Sequence, residues 1–92
     1  MGLETAIEGV VCDDAMADGW FVRKLQWAGR RGGCDRFFAK GGRVVLIEFK
    51  KPGGKTSANQ EKELAKLKAA GVECYVLDNP LSAYRVLGIE RK

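Results

Sequence analysis

The side chains best suited to chemistry lie at the end of one apolar segment. Residues 43–50 begin as a β-branched run typical of a buried strand, and the same segment then carries Glu48 and Lys50. Because side chains alternate along a strand, these two residues share one face with Val44 and Leu46. An acid and a base in such a place are costly unless they have partners or a task. The segment therefore predicts a functional site at the end of a core strand.

A glycine pair before this strand places a second acid near the first. Gly41 and Gly42 are typical of a two-residue hairpin loop, which needs positive φ angles. Counting outward from such a loop sets Asp35 opposite Glu48, where Cβ atoms are roughly 5 Å apart and like charges repel. A divalent cation is the simplest partner that would stabilise this pair.

Asp35, Glu48 and Lys50 suit metal-assisted phosphoryl chemistry. Carboxylates hold Mg²⁺ or Mn²⁺, which prefer oxygen ligands and keep some of their waters. Such an ion polarises a phosphoryl oxygen and lowers the pKa of a bound water, while a nearby lysine orients that water or stabilises developing charge. The alternative is a surface salt-bridge cluster on an edge hairpin, which the apolar neighbours Val45 and Ile47 disfavour.

Helical and strand patterns alternate along the chain and would position these residues. The pattern predicts a helix at 3–18, strands at 20–27, 34–40 and 43–50, a helix from about 58 to 70, a strand at 72–77 and a helix at 81–87. Ser57 is a suitable N-cap, with Glu61 one position beyond the usual capping box. A helix between the last two strands indicates a parallel crossover, whereas the hairpin is antiparallel. We therefore expect one α/β domain, residues 1–92, with a mixed β-sheet flanked by helices.

Composition and charge narrow the class of protein. The chain has 92 residues, 46% of them hydrophobic, with neither a signal peptide nor an apolar run long enough to cross a membrane. Three cysteines without CxxC spacing, and no histidine, disfavour a zinc site and favour a soluble protein of the reducing cytoplasm. Residues 1–19 carry five acidic and no basic side chains, so the rest of the chain is strongly basic and suits a polyanionic partner.

The order of these features resembles a known group of nucleases. Asp35 followed by Glu48-x-Lys50 matches the signature of the PD-(D/E)XK superfamily, except that Cys34 stands where a proline usually lies. The wider pattern resembles the virus-type replication-repair nuclease (VRR-NUC) family in its small phage-type form. It comprises a Glu-bearing N-terminal helix, Arg31-Gly-Gly-Cys-Asp-Arg36, Ile47-Glu-Phe-Lys-Lys-Pro-Gly-Gly54, Ser57-Ala-Asn-Gln60, Leu64, Gly71 and Tyr75-Val-Leu77. The resemblance implies a restriction-endonuclease-like core and metal-dependent cleavage of branched or flapped DNA.

The resemblance also implies a role for each motif residue. Asp35 and Glu48 would bind Mg²⁺ or Mn²⁺, with the backbone carbonyl of Phe49 as a third ligand. Lys50 matches the motif lysine, and Gln60 matches a glutamine that helps to place the water or a metal-bound group. Without a proline before it, the backbone that aims Asp35 is held less firmly.

One further acid of the N-terminal helix is implied as a catalytic residue and metal ligand. Glu4 and Glu8 both qualify, and the spacing to Gly19 favours Glu8. The alternative for either residue is a solvent-exposed position without a task.

Basic side chains surround the acidic site in sequence and would contact DNA phosphates. They are Arg23, Lys24, Arg30, Arg31, Arg36, Lys51 and Lys55. Trp27, beside them, would either stack on an unpaired base or belong to the core. The expected function is an endonuclease of the Holliday-junction-resolvase or flap type, located in the host cytoplasm if a phage encodes it. The alternative is a non-catalytic DNA-binding module that keeps the nuclease fold.

The enzyme is expected to be a symmetric homodimer, because a four-way junction has approximate two-fold symmetry and needs two cuts. The sequence offers two candidate interfaces and does not distinguish them. One is the strand around Trp20 and Trp27, and the other is the C-terminal set Leu81, Tyr84, Val86, Leu87 and Ile89.

Overall fold

A four-stranded sheet with helices on both faces forms the centre of the computed structural model, which describes residues 2–29 and 34–90. Its elements in chain order are α1 (Leu3–Ala17), β1 (Phe21–Lys24), β2 (Arg36–Lys40), β3 (Arg43–Phe49), α2 (Ala58–Ala69), β4 (Glu73–Leu77) and α3 (Pro80–Leu87). The strands lie in the order β1-β2-β3-β4. β1, β2 and β3 are antiparallel neighbours, whereas β3 and β4 are parallel and joined through α2. The predicted α/β class and mixed sheet are therefore confirmed.

The β2–β3 hairpin has the predicted register. Gly41 and Gly42 form its two-residue loop with φ angles of 58° and 84°, which a side chain would strain. The ladder pairs Lys40 with Arg43 and continues to Arg36 opposite Ile47. The next residues outward are Asp35 and Glu48, so the hairpin brings the two acids to the same end of the sheet.

The central strand β3 has its buried side chains on both faces of the sheet. Val45 and Ile47, each 0% exposed, pack in the larger core with residues of α1 and α3. Leu46 points the other way, into a smaller cluster with Cys34 and Cys74 that Leu64 and Leu67 of α2 help to cover. Because side chains alternate along a strand, Glu48 lies on the same face as Leu46. Val44, at 43% exposure, departs from the burial expected along this strand.

Two strands are shorter than predicted by two or more residues at one end. β1 ends at Lys24 rather than residue 27, and β2 begins at Arg36 rather than residue 34. One further backbone bond, from Leu25 N–H to the Asp35 carbonyl at 2.8 Å, continues the pairing beyond the ladder. Beyond that bond the donor to the Cys34 carbonyl is the indole N–H of Trp27 and not a backbone N–H, so the regular strand pairing ends there.

As expected, Ser57 is the N-cap of α2 and Glu61 lies beyond its capping box, which Gln60 completes. Ser57 accepts from the Gln60 backbone N–H, and the Gln60 side chain accepts from the Ser57 N–H, both at 3.1 Å. Gln60 is thus the third helical residue of the box, and Glu61 instead accepts a bond from the Thr56 hydroxyl. Glutamine completes this motif as well as glutamate does. No helix of the described residues is long and apolar enough to cross a membrane.

Candidate active site

Three predicted site residues meet where β2 begins and β3 ends. Asp35 directly precedes β2, Glu48 lies near the end of β3, and Lys50 directly follows that strand. The Lys50 backbone N–H donates to the Leu77 carbonyl at 2.9 Å, so β4 holds the chain in place as it leaves β3. Lys50 Nζ lies 3.7 Å from Glu48 Oε2, and the two side chains are only 19% and 15% exposed. The structure therefore brings the predicted acid and base together in a largely desolvated place.

Asp35 has an unusual environment for a carboxylate. Its Oδ1 atom is buried and has no hydrogen-bond partner among the described residues. A buried charged oxygen in this state costs free energy until a proton or a cation satisfies it. Its side chain is therefore the strongest local indication that the site binds a further group.

The pKa of each of the two carboxyl groups is raised. For Glu48 the pKa is raised to about 7, first by burial and then by the charge of Asp35, against the opposing charge of Lys50. For Asp35 the pKa is raised by burial and by Glu8, while Lys24 and Arg36 oppose the shift. Desolvated acids that repel one another mark a place where a divalent cation would bind in exchange for protons.

The N-terminal acid that faces this site is Glu8. Its charge raises the pKa of both Asp35 and Glu48. Its Oε2 accepts from Arg36 Nε at 2.5 Å, and the two side chains are 17% and 23% exposed respectively. Glu4 is exposed. Arg36, predicted as a phosphate contact, is therefore occupied by Glu8 in this structure, and the role of Glu8 as a metal ligand stays a prediction.

The carboxylates of the site fit a divalent cation only if backbone carbonyl and water oxygens complete its coordination. Within residues 2–29 and 34–90, no three acidic or cysteine side chains come together closely enough to hold a metal by themselves. Mg²⁺ commonly binds through one or two carboxylates and keeps several waters. Asp35 and Glu48 supply those carboxylates, and the orphaned Asp35 oxygen is the atom that such an ion would satisfy. The Phe49 carbonyl stays the predicted third protein ligand.

The loop after β3 is packed tightly against the site. A Cβ atom on Gly54 would lie 2.9 Å from the Lys51 carbonyl oxygen and 3.2 Å from Lys50 Cβ, so only glycine fits there. The Gly54 N–H donates to that same carbonyl at 2.8 Å and closes a turn. This turn leaves Lys51 and Lys55 exposed next to the site, where phosphates could reach them.

The other predicted DNA contacts differ in their surroundings. Arg23 and Lys24 are exposed on the edge strand β1. The Arg23 guanidinium lies 4.0 Å from the centre of the Phe21 ring, and its Nη1 donates to the Val22 carbonyl at 2.7 Å. Arg30 and Arg31 lie outside the described residues.

Sequence reasoning missed two bonds that hold the backbone of Asp35. They run from the Leu25 N–H to the Asp35 carbonyl, at 2.8 Å, and from the Trp27 indole N–H to the Cys34 carbonyl, at 2.5 Å. Both donors belong to the segment after β1, which the strand pattern assigns to the sheet itself. No residue type in that segment distinguishes a strand continuation from a side-chain contact.

Comparison with known proteins identifies the fold and the family. A scan against models of protein families finds no match. A solved structure described as "VRR_NUC domain" superposes with a TM-score of 0.86 over 96% of this chain and 97% of that chain, at 21% identity. The fold is therefore that of the VRR-NUC domain. "Putative nuclease p44" of Acyrthosiphon pisum secondary endosymbiont phage 1 is 35% identical over 77 residues, covering 83% of each chain. The chain therefore belongs to the phage-type VRR-NUC family.

Proposed function

We propose that this protein is a metal-dependent nuclease that hydrolyses phosphodiester bonds in branched DNA. Family membership supports the nuclease class. The observation that carries the metal-dependent chemistry is the buried, unpartnered Oδ1 of Asp35 beside a second acid, Glu48, whose pKa is raised to about 7. A protein that only bound DNA would gain nothing from two desolvated acids that repel both each other and the substrate. The proposed place of action is the cytoplasm of the host.

Each site residue has a definite task in this proposal. Asp35, Glu48 and the Phe49 carbonyl would hold Mg²⁺ or Mn²⁺, which supplies an activated water and polarises the scissile phosphate. The Lys50 ammonium, held near Glu48, orients the attacking water or stabilises the charge that develops on the phosphoryl oxygens. Exposed lysines of the adjacent loop bind the flanking phosphates and set the position of the strand.

A panel of DNA substrates tests the proposal. Labelled four-way junction, flap and linear duplex are incubated with the protein in Mg²⁺, in Mn²⁺ and in EDTA. We expect cleavage of a branched substrate in either metal and none in EDTA. Binding of all three substrates without cleavage in any condition would instead indicate a DNA-binding module.

We expect a two-fold symmetric homodimer to be the active form. Tyr84 and Leu87 are 5% and 3% exposed within their own core, so Leu81 at 64% is the main exposed residue of the C-terminal candidate surface. On β1, Phe21 is 50% exposed and lies in one row across the sheet with Ala39 and Val44. This row is the better remaining interface because its apolar residues are contiguous.

Sedimentation at micromolar protein, with and without junction DNA, checks the dimer. Phe21→Ser should dissociate it, whereas the matched exposed substitution Leu81→Ser should not. A wild-type protein that stays monomeric in both conditions, yet makes paired symmetric cuts, would contradict the expectation.

Gln60 can be tested separately from its helix cap. Glutamate completes a capping box as glutamine does, so Gln60→Glu should keep the stability of α2, whereas Gln60→Ala should lose about 1 kcal/mol. If the amide also helps to place the water, turnover should fall about tenfold in both variants. Denaturant unfolding and cleavage rates of the two proteins are compared. Full activity in Gln60→Glu would limit Gln60 to the cap.

A further inference from the structure

The two tryptophans of the chain have opposite environments. Trp20 is 6% exposed and packs edge-on against Phe38 in the larger core, yet its indole N–H is buried without a partner among the described residues. Trp27 is 38% exposed, and its indole N–H donates to the Cys34 carbonyl at 2.5 Å. Trp20 therefore acts through packing. Trp27 buries less of its ring and makes a specific polar contact, which indicates a different task.

The contact of Trp27 lies on the peptide group that leads into Asp35. The Cys34 carbonyl and the Asp35 N–H belong to one planar unit, so fixing the carbonyl fixes the direction in which the chain enters Asp35. The peptide group on the other side of Asp35 is held by the Leu25 N–H, at 2.8 Å. The segment after β1 thus restrains the backbone both before and after the acid.

The side chain of Asp35 needs this restraint from its backbone. Its Oδ1 has no hydrogen-bond partner among the described residues, and the charge of Glu8 repels the carboxylate. The β1–β2 ladder ends at Lys24 and Arg36, so regular pairing stops one residue short of Asp35. Cys34 does not restrict the backbone as the ring of a proline at this position would. Its side chain is nevertheless 1% exposed and packed with Leu46 and Cys74.

We propose that Trp27 is a positioning residue whose indole N–H holds the Cys34 peptide group and thereby aims the Asp35 carboxylate at the metal. The inference rests on the proposed function, since it concerns the same site. Trp27 acts through Asp35 and touches neither the metal nor the DNA in this role. A positional error of about 1 Å in a ligand is enough to cost a large factor in rate, so one backbone bond at this place matters.

The matched pair Trp27→Phe and Trp20→Phe tests the proposal. Both variants lose an indole N–H and the same ring volume, but among the described residues only the Trp27 N–H has a hydrogen-bond partner. We expect Trp27→Phe to weaken Mn²⁺ binding, measured by electron paramagnetic resonance of the free ion, by about five- to tenfold, the worth of one hydrogen bond. Its kcat should fall while its KM for DNA changes little. Trp20→Phe should lower the thermal midpoint because it leaves a cavity, yet keep the Mn²⁺ affinity of the wild type.

Two further measurements make the result decisive. Replacing Trp27 by benzothienylalanine, which exchanges the N–H for sulfur and keeps the shape, should reproduce the loss seen in Trp27→Phe. Amide hydrogen exchange in EDTA should show the Leu25 N–H exchanging about fivefold faster in both Trp27 variants than in the wild type, since the bond from Trp27 to the Cys34 carbonyl is gone. The Leu25 result does not depend on metal. A wild type that binds no Mn²⁺ would therefore contradict the proposed function, while the exchange rate of the Leu25 N–H would still test whether Trp27 restrains the backbone of Asp35.

Unchanged Mn²⁺ affinity and unchanged Leu25 exchange in both Trp27 variants would overturn the proposal. A raised KM for DNA with unchanged kcat and Mn²⁺ affinity would also overturn it, and would assign Trp27 to base stacking instead.

Discussion

Replacing Glu48 by glutamine is expected to abolish DNA cleavage while the protein stays folded. The substitution removes one of two carboxylates that would hold the metal but keeps the size of a side chain that is 15% exposed. Loss of metal catalysis is worth several kcal/mol, so the rate should fall by about a thousandfold or more. Single-turnover cleavage of a four-way junction measures this loss. Full activity in the variant would remove Glu48 from the mechanism.

The same substitution should change how stability depends on pH. The pKa of Glu48 is raised from 4.5 to about 7, so the folded protein binds more protons than the unfolded chain between those values. Its stability without metal therefore falls as the pH rises through this window, and the penalty persists above it, on the order of 1–3 kcal/mol. Glu48→Gln lacks that ionisation and should lose less stability between pH 5 and pH 8.

Urea unfolding in EDTA at the two pH values measures the difference. Asp13→Asn, which removes an exposed acid from the middle of α1, is a suitable control and should follow the wild type. Equal losses of stability in Glu48→Gln and the wild type would contradict the assigned environment of Glu48.

Replacing Lys50 by alanine is expected to lower kcat by about a hundred- to a thousandfold while DNA affinity changes about twofold at most. The Lys50 side chain is 19% exposed and its Nζ lies 3.7 Å from Glu48 Oε2, so it faces the acidic site rather than the bulk solvent. A cation that acts on the transition state lowers the barrier without contributing equally to ground-state binding. Steady-state kinetics and equilibrium binding of the same junction separate the two effects.

The neighbouring residue provides the matched control. Lys51 is exposed and would contact a phosphate, so Lys51→Ala should weaken DNA binding and reduce the salt dependence of log K by about one unit. Its kcat should be near that of the wild type. If Lys50→Ala behaved like Lys51→Ala, Lys50 would be a phosphate contact and not part of the catalytic site.

The central hairpin could be predicted from the sequence because local rules determine it. Two glycines with positive φ set the loop length, and the loop length sets the register that brings Asp35 toward Glu48. The β-branched run of β3 then marks it as a strand buried on both faces. These are short-range effects, so a single sequence contains them.

The partners of the site residues could not be predicted in the same way. The pairing of Arg36 with Glu8 joins residues 28 positions apart, and it depends on where α1 crosses the sheet. The bond from Trp27 to Cys34 depends on β1 ending early, which its strand-like composition does not reveal. The capping role of Gln60 could have been predicted from the sequence, because a serine followed three residues later by a glutamine is a known pattern of helix N-termini.

The most direct test of the metal-dependent nuclease is the rate of junction cleavage as Mn²⁺ is titrated, for the wild type and for Asp35→Asn. Asparagine keeps the shape of the side chain but removes the charge of a carboxylate whose Oδ1 is buried without a hydrogen-bond partner among the described residues. We expect no cleavage by the wild type in EDTA, a rate that rises to saturation with Mn²⁺, and almost no cleavage by the variant at any concentration. Cleavage by the wild type at an undiminished rate in EDTA, or a wild-type titration curve from Asp35→Asn, would contradict metal-dependent cleavage at this site.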